Sequence, residues 1–261
     1  MKRLLRALIE RSDFDIEPLR GLRHQLHLAG LRWNNRINPV RLRQQRTLRD
    51  VKLHFGSGSR IFDGWINLDA YPADGVDYLM DLRCELPFED GSVRYIFSEH
   101  VVEHLERAYL PRILREFLRV LMPGGVARIV VPDLEFYCEK YVAGDVAELS
   151  ISLPECRTSA DALNSVFMDH FHRFIYDFDT LRDELTAAGF GDVRRTAYAE
   201  SEYDGLALDL MVPSRSSGSL CVEKPSRPHP MADAPAARPA TPRPEHAAVG
   251  QQDPGGLGAA A

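Results

Sequence analysis

From residue 51 onward, short β-rich runs alternate with polar stretches and with segments of helical periodicity, the rhythm of an α/β sheet. Five strands are predicted: Val51–Phe55, Trp65–Leu68, Val76–Met80, Val93–Phe97 and Val126–Val131. The fifth contains ARIVV, the near-continuous apolar run of a parallel strand covered on both faces. Between the fourth and fifth, Pro111 opens a helix where a missing N–H costs nothing. Ile113, Leu114, Phe117 and Leu121 form its buried stripe and Gly124-Gly125 closes it. A later helix is predicted from Thr180 to Ala188, with Asp179 as N-cap and Gly189 at its end. Val193–Tyr198 and Ser219–Glu223 then read as a closing antiparallel pair. Residues 56–64 are too few for a crossover helix between parallel strands, so a single helical turn must serve there.

The flanks follow other patterns, and three pieces result. Residues 1–50 form a basic helical arm, with twelve Lys and Arg against five Asp and Glu. In it Leu4, Leu5, Leu8 and Ile9 share a helix face opposite Lys2, Arg3 and Arg6, and Leu19, Leu22 and Leu26 repeat the spacing. Such a stripe packs on the chain's own acidic body, the favoured reading, or lies on an anionic membrane surface or a partner protein. Residues 51–224 form the body, with 134–178 as an insertion that builds the acceptor site. Residues 225–261 hold eight Pro, ten Ala and four Gly, with only Met231, Val249 and Leu257 as large aliphatics, and are expected to be disordered.

Composition removes several classes of function. The net charge is −6, and with the arm basic and the tail balanced the body is strongly acidic, a poor clamp for nucleic acid. Cys84, Cys138, Cys156 and Cys221 lie far apart without a CxxC pair, so neither a zinc knuckle nor a disulfide framework is encoded. Glu10 and Asp13 interrupt the N-terminal apolar stretch before a secretory signal develops, and no run is long enough to span a membrane. A cytoplasmic location is expected, with membrane association open through the arm.

Candidate chemistry gathers where the predicted strands end. Strand one runs into Gly56-Ser57-Gly58, and glycines there let a ligand approach the backbone. Asp69 ends strand two and Asp81 ends strand three, and in a doubly wound sheet all three ends border one crevice. One carboxylate can accept both hydroxyls of a ribose, and a second can take an exocyclic amine. A nicotinamide site fits less well, because GSGSRI lacks the third glycine of GxGxxG and Asp69 follows Gly58 by only eleven residues.

The ordered segments VKLHFGSGSR, GWINLDAY, VDYLMDL, LPFEDGSVRYIFSEHVVEHL, LRVLMPGGVARIVVPDLEFY and LRDELTAAGF resemble the class I S-adenosylmethionine-dependent methyltransferases. They are most similar to the branch often encoded with cell-surface polysaccharide genes. The resemblance runs from about Val51 to Lys224. It implies a Rossmann-like doubly wound sheet, S-adenosyl-L-methionine as cofactor and, as the expected reaction, O-methylation of a sugar, glycan or other small molecule. An inactive cofactor-binding subunit of a larger assembly is the alternative. It also implies that the Gly56-Ser57-Gly58 turn holds the methionine end, Asp69 the ribose, and Asp81 with Leu82 the adenine edge, with Ser98 and His100 near the sulfonium. Two positions depart from the pattern: His54 replaces an acidic residue before the first glycine, and Arg60 a third glycine.

Histidines remain. His100-Val101-Val102-Glu103-His104 matches the HxxEH spacing of a zinc helix, but it follows a strand directly and lacks an evident third ligand, so no metal is expected. His170 and His172 precede the late helix, where the resemblance places part of the acceptor pocket. His172 is the first expectation for the general base, ahead of His100, whose place is on the cofactor side. Asp133 is a pocket-wall candidate or a simple N-cap.

Overall fold

The computed structural model describes residues 17–37, 47–149, 156–168, 171–209 and 219–225. The first arm stripe at Leu4 to Ile9, His170 and the expected tail beyond residue 225 lie outside the described residues. The strands are β1 (Val51–Phe55), β2 (Ile66–Asp69), β3 (Tyr78–Leu79), β4 (Val93–Glu99), β5 (Leu121–Pro132), β6 (Arg194–Thr196) and β7 (Ser219–Pro225). They form one sheet in the order β3-β2-β1-β4-β5-β7-β6. β1 to β5 are mutually parallel, and β7 runs antiparallel to β5 and β6. This is a Rossmann-like α/β fold. Strand order reverses between β1 and β4, and at such a switch point the chain opens a crevice beyond the carboxyl ends of the strands.

The helices are α1 (Glu17–Ile37), α2 (Leu110–Val120), α3 (Leu134–Ala143), α4 (Val146–Leu149), α5 (Ser159–Met168) and α6 (Phe178–Ala187). Several expected boundaries move for local reasons. α2 opens on Leu110 with Pro111 in its first turn, but it ends at Val120, so Leu121 and the Gly124-Gly125 pair belong to β5. Gly125 serves the strand: a Cβ there would sit 2.8 Å from the Arg94 carbonyl of β4. α6 is capped by Asp177, whose side chain accepts the Thr180 N–H at 2.8 Å, whereas Asp179 pairs with Arg182 at 2.6 Å. Residues 56–65 contain hydrogen-bonded turns and no helical turn.

Helices and loops cover both faces of the sheet. Leu53, Phe55, Ile96, Ile129 and Val131 pack on one side with Ile113, Leu114 and Phe117 of α2 and Leu181 and Leu185 of α6. Phe97, Val126, Val130 and Leu206 pack on the other, against Phe62, Trp65 and Tyr95. Among the described residues no helix is long and apolar enough to cross a membrane.

Within the apolar β5 run, Arg128 is fully buried. All five of its N–H groups are used. Nε donates to Asp209 Oδ1 at 2.7 Å and Nη2 to Asp209 Oδ2, while Nη1 reaches Thr196 Oγ1 (2.8 Å) and the Glu200 carbonyl (3.0 Å) and Nη2 the Ala197 carbonyl (3.2 Å). One guanidinium therefore pins the 196–209 segment to the sheet. Asp209→Ala leaves that charge buried without its carboxylate and is expected to cost about 3–5 kcal/mol in urea unfolding. The pair replacement Arg128→Met with Asp209→Leu should recover most of the loss. A single variant as stable as the parent would contradict this account.

Candidate functional site

A cleft of about 990 Å³ opens at the carboxyl ends of β1, β2 and β4. Gly56, Gly58, Asp69, Asp81, Leu82 and His100 all line it, so six of the predicted site residues meet at one place. Ser57 and Ser98 are buried and are not among its lining residues. Gly56 has φ 77°, and a Cβ there would fall 2.3 Å from Val101, so close packing demands glycine. Gly58, at φ 54°, has no atom within 4 Å of its ideal Cβ position. That open backbone forms a cradle. Asp69 fixes it, accepting the Gly58 N–H at 2.8 Å and the Tyr71 N–H at 2.7 Å.

Asp81 is differently placed. Its carboxylate accepts the Arg83 backbone N–H (3.1 Å), Arg83 Nε and Nη2 (both 2.9 Å) and Arg32 Nη1 (2.7 Å). Four acceptor positions are thus filled. Burial pushes its pKa up, but the hydrogen bonds and charge of Arg83, with Arg32 behind, outweigh that and hold it below the usual carboxylate range.

Arg32 comes from α1, which sequence reasoning did not bring to the site. α1 lies over the strand ends: Leu28 is buried, His27 Nε2 bonds the Ala70 carbonyl at 2.7 Å, and the His27 ring stacks on Tyr71 at 4.8 Å. Asn35 donates to the Leu79 carbonyl at 3.1 Å. Arg23, His24, His27 and Leu28 join the cleft lining. The stripe expected to face inward, Leu22 and Leu26, is 56% and 64% exposed. Docking is set by polar contacts to strand ends, which hydrophobic periodicity does not report.

Beyond β4 the chain turns sharply at His100, whose φ of 53° is uncommon for a residue other than glycine. Its Nδ1 lies 3.0 Å from Glu103 Oε1, and its Nε2 is buried without a hydrogen-bond partner among the described residues. Glu103 has no exposed surface. Burial pushes its carboxyl up, but the hydrogen bond and charge of His100 and the charge of His104 prevail and lower it. The Glu103 carbonyl accepts the N–H groups of Arg173 (2.7 Å) and Phe174 (3.2 Å), which draws the 171–174 segment to the cleft. Phe171 and Arg173 line it, and His172 stands behind the lining residue His104, ring to ring at 4.7 Å, with Nδ1 on the Val166 carbonyl.

The two departures from the expected pattern lie away from the cleft lining. Arg60 pairs with Glu99 at 2.6 Å and lies over the Phe62 ring. His54 is buried, stacked on Phe62 at 4.2 Å, with Nδ1 3.3 Å from Asn67. Asp133 caps α3 through the Glu135 N–H and pairs with Arg195.

Residues 67–129 match the profile of a family described as a methyltransferase domain. No curated protein matches the chain. Among solved structures it is similar to an S-adenosylmethionine-dependent methyltransferase from Archaeoglobus fulgidus, at 14% identity and TM-score 0.43, covering 77% of this chain and 99% of that one. It is also similar to a Thermotoga maritima S-adenosylmethionine-dependent methyltransferase, at 16% identity and TM-score 0.42, covering 74% and 96%. A Haloferax volcanii protein solved with the Trm112 methyltransferase activator shows 17% identity and TM-score 0.41 over 83% and 99%.

The matched segment runs from β2 into β5 and includes Asp69, Asp81 and His100. It supports a methyltransferase, for which the sequence resemblance implies S-adenosylmethionine as the cofactor. The residues present fit that group: an open glycine cradle, a carboxylate beside it, the unpartnered His100 Nε2, and Arg23 and Arg173 as positive charge on the wall.

His54 yields a pH test of this half of the sheet. Burial pushes its imidazole down to about 4; Asn67 opposes this and the Arg60 charge adds to it. The unfolded value is near 6.5, so between pH 6.5 and 4 the unfolded chain binds the extra proton and stability falls as pH falls. The full effect is roughly 3 kcal/mol. Urea unfolding at pH 7 and pH 4.5 should show a smaller loss in His54→Leu than in the parent, and equal losses would refute it.

Proposed function

We infer that the protein transfers the methyl group of S-adenosylmethionine to a hydroxyl oxygen of a sugar, glycan or other small molecule. The observation that carries this reading is His100, a residue of the cleft wall beside the glycine cradle whose buried Nε2 has no hydrogen-bond partner among the described residues. When bound, the cofactor supplies a methyl on a positively charged sulfur, already a strong donor. The chain's task is then to hold donor and acceptor in line and to receive the acceptor's proton.

Gly56 and Gly58 admit the methionine end, and Asp69 takes the ribose hydroxyls with the lone pairs that the Gly58 and Tyr71 N–H groups leave. Leu82 packs on the adenine. Asp81 takes the exocyclic amine in exchange for Arg32, its one partner from outside the 81–83 turn among the described residues. For the proton, two histidines stand as candidates. His172 has its Nδ1 on the Val166 carbonyl and its ring against His104, whereas His100 is held by Glu103 through Nδ1, which leaves the lone pair on Nε2, without a partner among the described residues. His100 is therefore assigned to proton removal at Nε2, with Glu103 holding its tautomer. The basic arm and the 134–178 insertion leave glycan and membrane-linked acceptors within this class.

Titration calorimetry should show binding of S-adenosylmethionine, weakened about ten- to a hundredfold by Asp69→Ala. Absence of binding by the parent protein would end the reading. A panel of nucleotide sugars, glycan fragments and phenols, followed by mass spectrometry, should show a product heavier by one methylene. With the acceptor so found, His100→Ala is expected to lower turnover by about 10²–10⁴-fold. Turnover within a factor of a few of the parent would remove His100 from the proton's path.

A further inference from the structure

The HxxEH string looks in sequence like a pair of helical ligands without a third. The fold groups it otherwise. After the turn at His100, Val102–His104 is a single 3-10 turn, and His104 faces His172, which the Glu103 carbonyl brings alongside through Arg173 and Phe174. One ligand atom from each of Glu103, His104 and His172 lies within 4.8 Å of the others. Oε1 of Glu103 stands 4.0 Å from Nε2 of His104.

We propose that Glu103, His104 and His172 form a site for one divalent transition-metal ion of the Zn²⁺ class on the wall of the methyl-transfer cleft. Two imidazole nitrogens and one carboxylate oxygen favour such an ion over Mg²⁺ or Ca²⁺, which prefer oxygen. With bonds of about 2.0–2.2 Å, ligand atoms around one ion stand roughly 3–4 Å apart, so the widest gap in the cluster has to close by about 1–2 Å. Small side-chain rotations suffice.

A second observation points the same way. Oε2 of the fully buried Glu103 has no hydrogen-bond partner among the described residues, and a buried carboxylate oxygen left so is costly. An ion held by both oxygens of the carboxylate, through Oε1 beside His104 and through Oε2, satisfies it. The neighbouring contacts are those that orient metal ligands: His100 Nδ1 on Glu103 Oε1, and His172 Nδ1 on the Val166 carbonyl, which puts the proton on Nδ1 and the lone pair on Nε2. His104, its side chain 39% exposed on the cleft wall, offers the ion a way in.

Three protein ligands leave at least one position for an oxygen, either water or the acceptor hydroxyl. This consequence rests on the methyl-transfer reading, whereas metal binding does not. An ion holding the acceptor oxygen weakens its hold on the proton that His100 removes.

The full chain, stripped with a chelator, is titrated with Zn²⁺ against a chromophoric competitor in the absence of cofactor and acceptor. One equivalent should bind at micromolar or lower dissociation constant, weakened at least tenfold in His104→Ala and in His172→Ala. Circular dichroism checks that each variant folds. Co²⁺ added to the parent protein should develop visible d–d bands that Zn²⁺ abolishes, a readout that needs no variant. Failure of the parent to bind Zn²⁺ below about 100 μM, or equal binding by folded His104→Ala, overturns the site. If stripped protein binds S-adenosylmethionine and methylates at full rate while Zn²⁺ does not bind, the site is wrong and the methyl-transfer reading stands. One tightly bound equivalent with no methylation of any acceptor leaves the site standing and removes that reading.

Discussion

The carboxylate and carbonyl of Glu103 hold the site's two histidine-bearing segments in one place. The residue has no exposed surface, follows β4 by four positions, and bonds in two directions. Its side chain holds His100 in the strained turn off the strand, and its carbonyl gathers the backbone of Arg173 and Phe174. A left-handed residue other than glycine persists only where surrounding contacts fix it, and here the fixing contacts include the Val130 carbonyl that accepts the His100 N–H at 2.9 Å. The β4–β5 pairing, the turn and the late segment are therefore linked through one buried acid. Removing it would release the segments that flank the cleft as well as one hydrogen bond.

Much of the scaffold was legible, because parallel strands covered on both faces leave an unmistakable apolar record and the glycines and carboxylates that follow them mark the crevice. Gly56, Gly58, Asp69, Asp81, Leu82 and His100 converge as the strand ends require. Boundaries were less legible where two local signals compete. Gly124-Gly125 looks like a helix stop, but Gly125 is the point at which β5 needs a backbone without a side chain against β4, while Gly124 has open space around it and a φ of 81°. Asp177 and Asp179 are both plausible caps, and only the position of the Thr180 N–H decides between them.

Long-range contacts were not legible at all. Nothing in the spacing of residues 100–104 announces that His172 completes their cluster, since the contact is made by backbone atoms of Arg173 and Phe174. The arm misled for a related reason. A hydrophobic stripe predicts which face a helix buries only when burial of apolar area decides the docking. In α1 the decisive groups are His27, Arg32 and Asn35, each reaching a carbonyl or carboxylate just after β2, at the end of β3 or just after it. Ser57 and Ser98 show the converse: their positions in the chain suit the site, yet their side chains are buried within the fold.

The charge distribution now has a physical explanation. An acidic chain has built a cleft whose wall carries Arg23, Arg83 and Arg173, and two of its buried carboxylates, Asp81 and Glu103, are held ionised by cationic or hydrogen-bonding neighbours. Asp81 shows what this arrangement imposes. With all four acceptor positions taken, it cannot receive another donor until one partner leaves, and Arg83 is held by three contacts while Arg32 has one. Arg32 is also 46% exposed, so water can replace its lost bond at small cost. An incoming donor at this carboxylate consequently displaces Arg32 of α1 and not the 81–83 turn. By linkage, whatever loosens α1 strengthens binding at that edge, and whatever binds there loosens α1 by the same free energy.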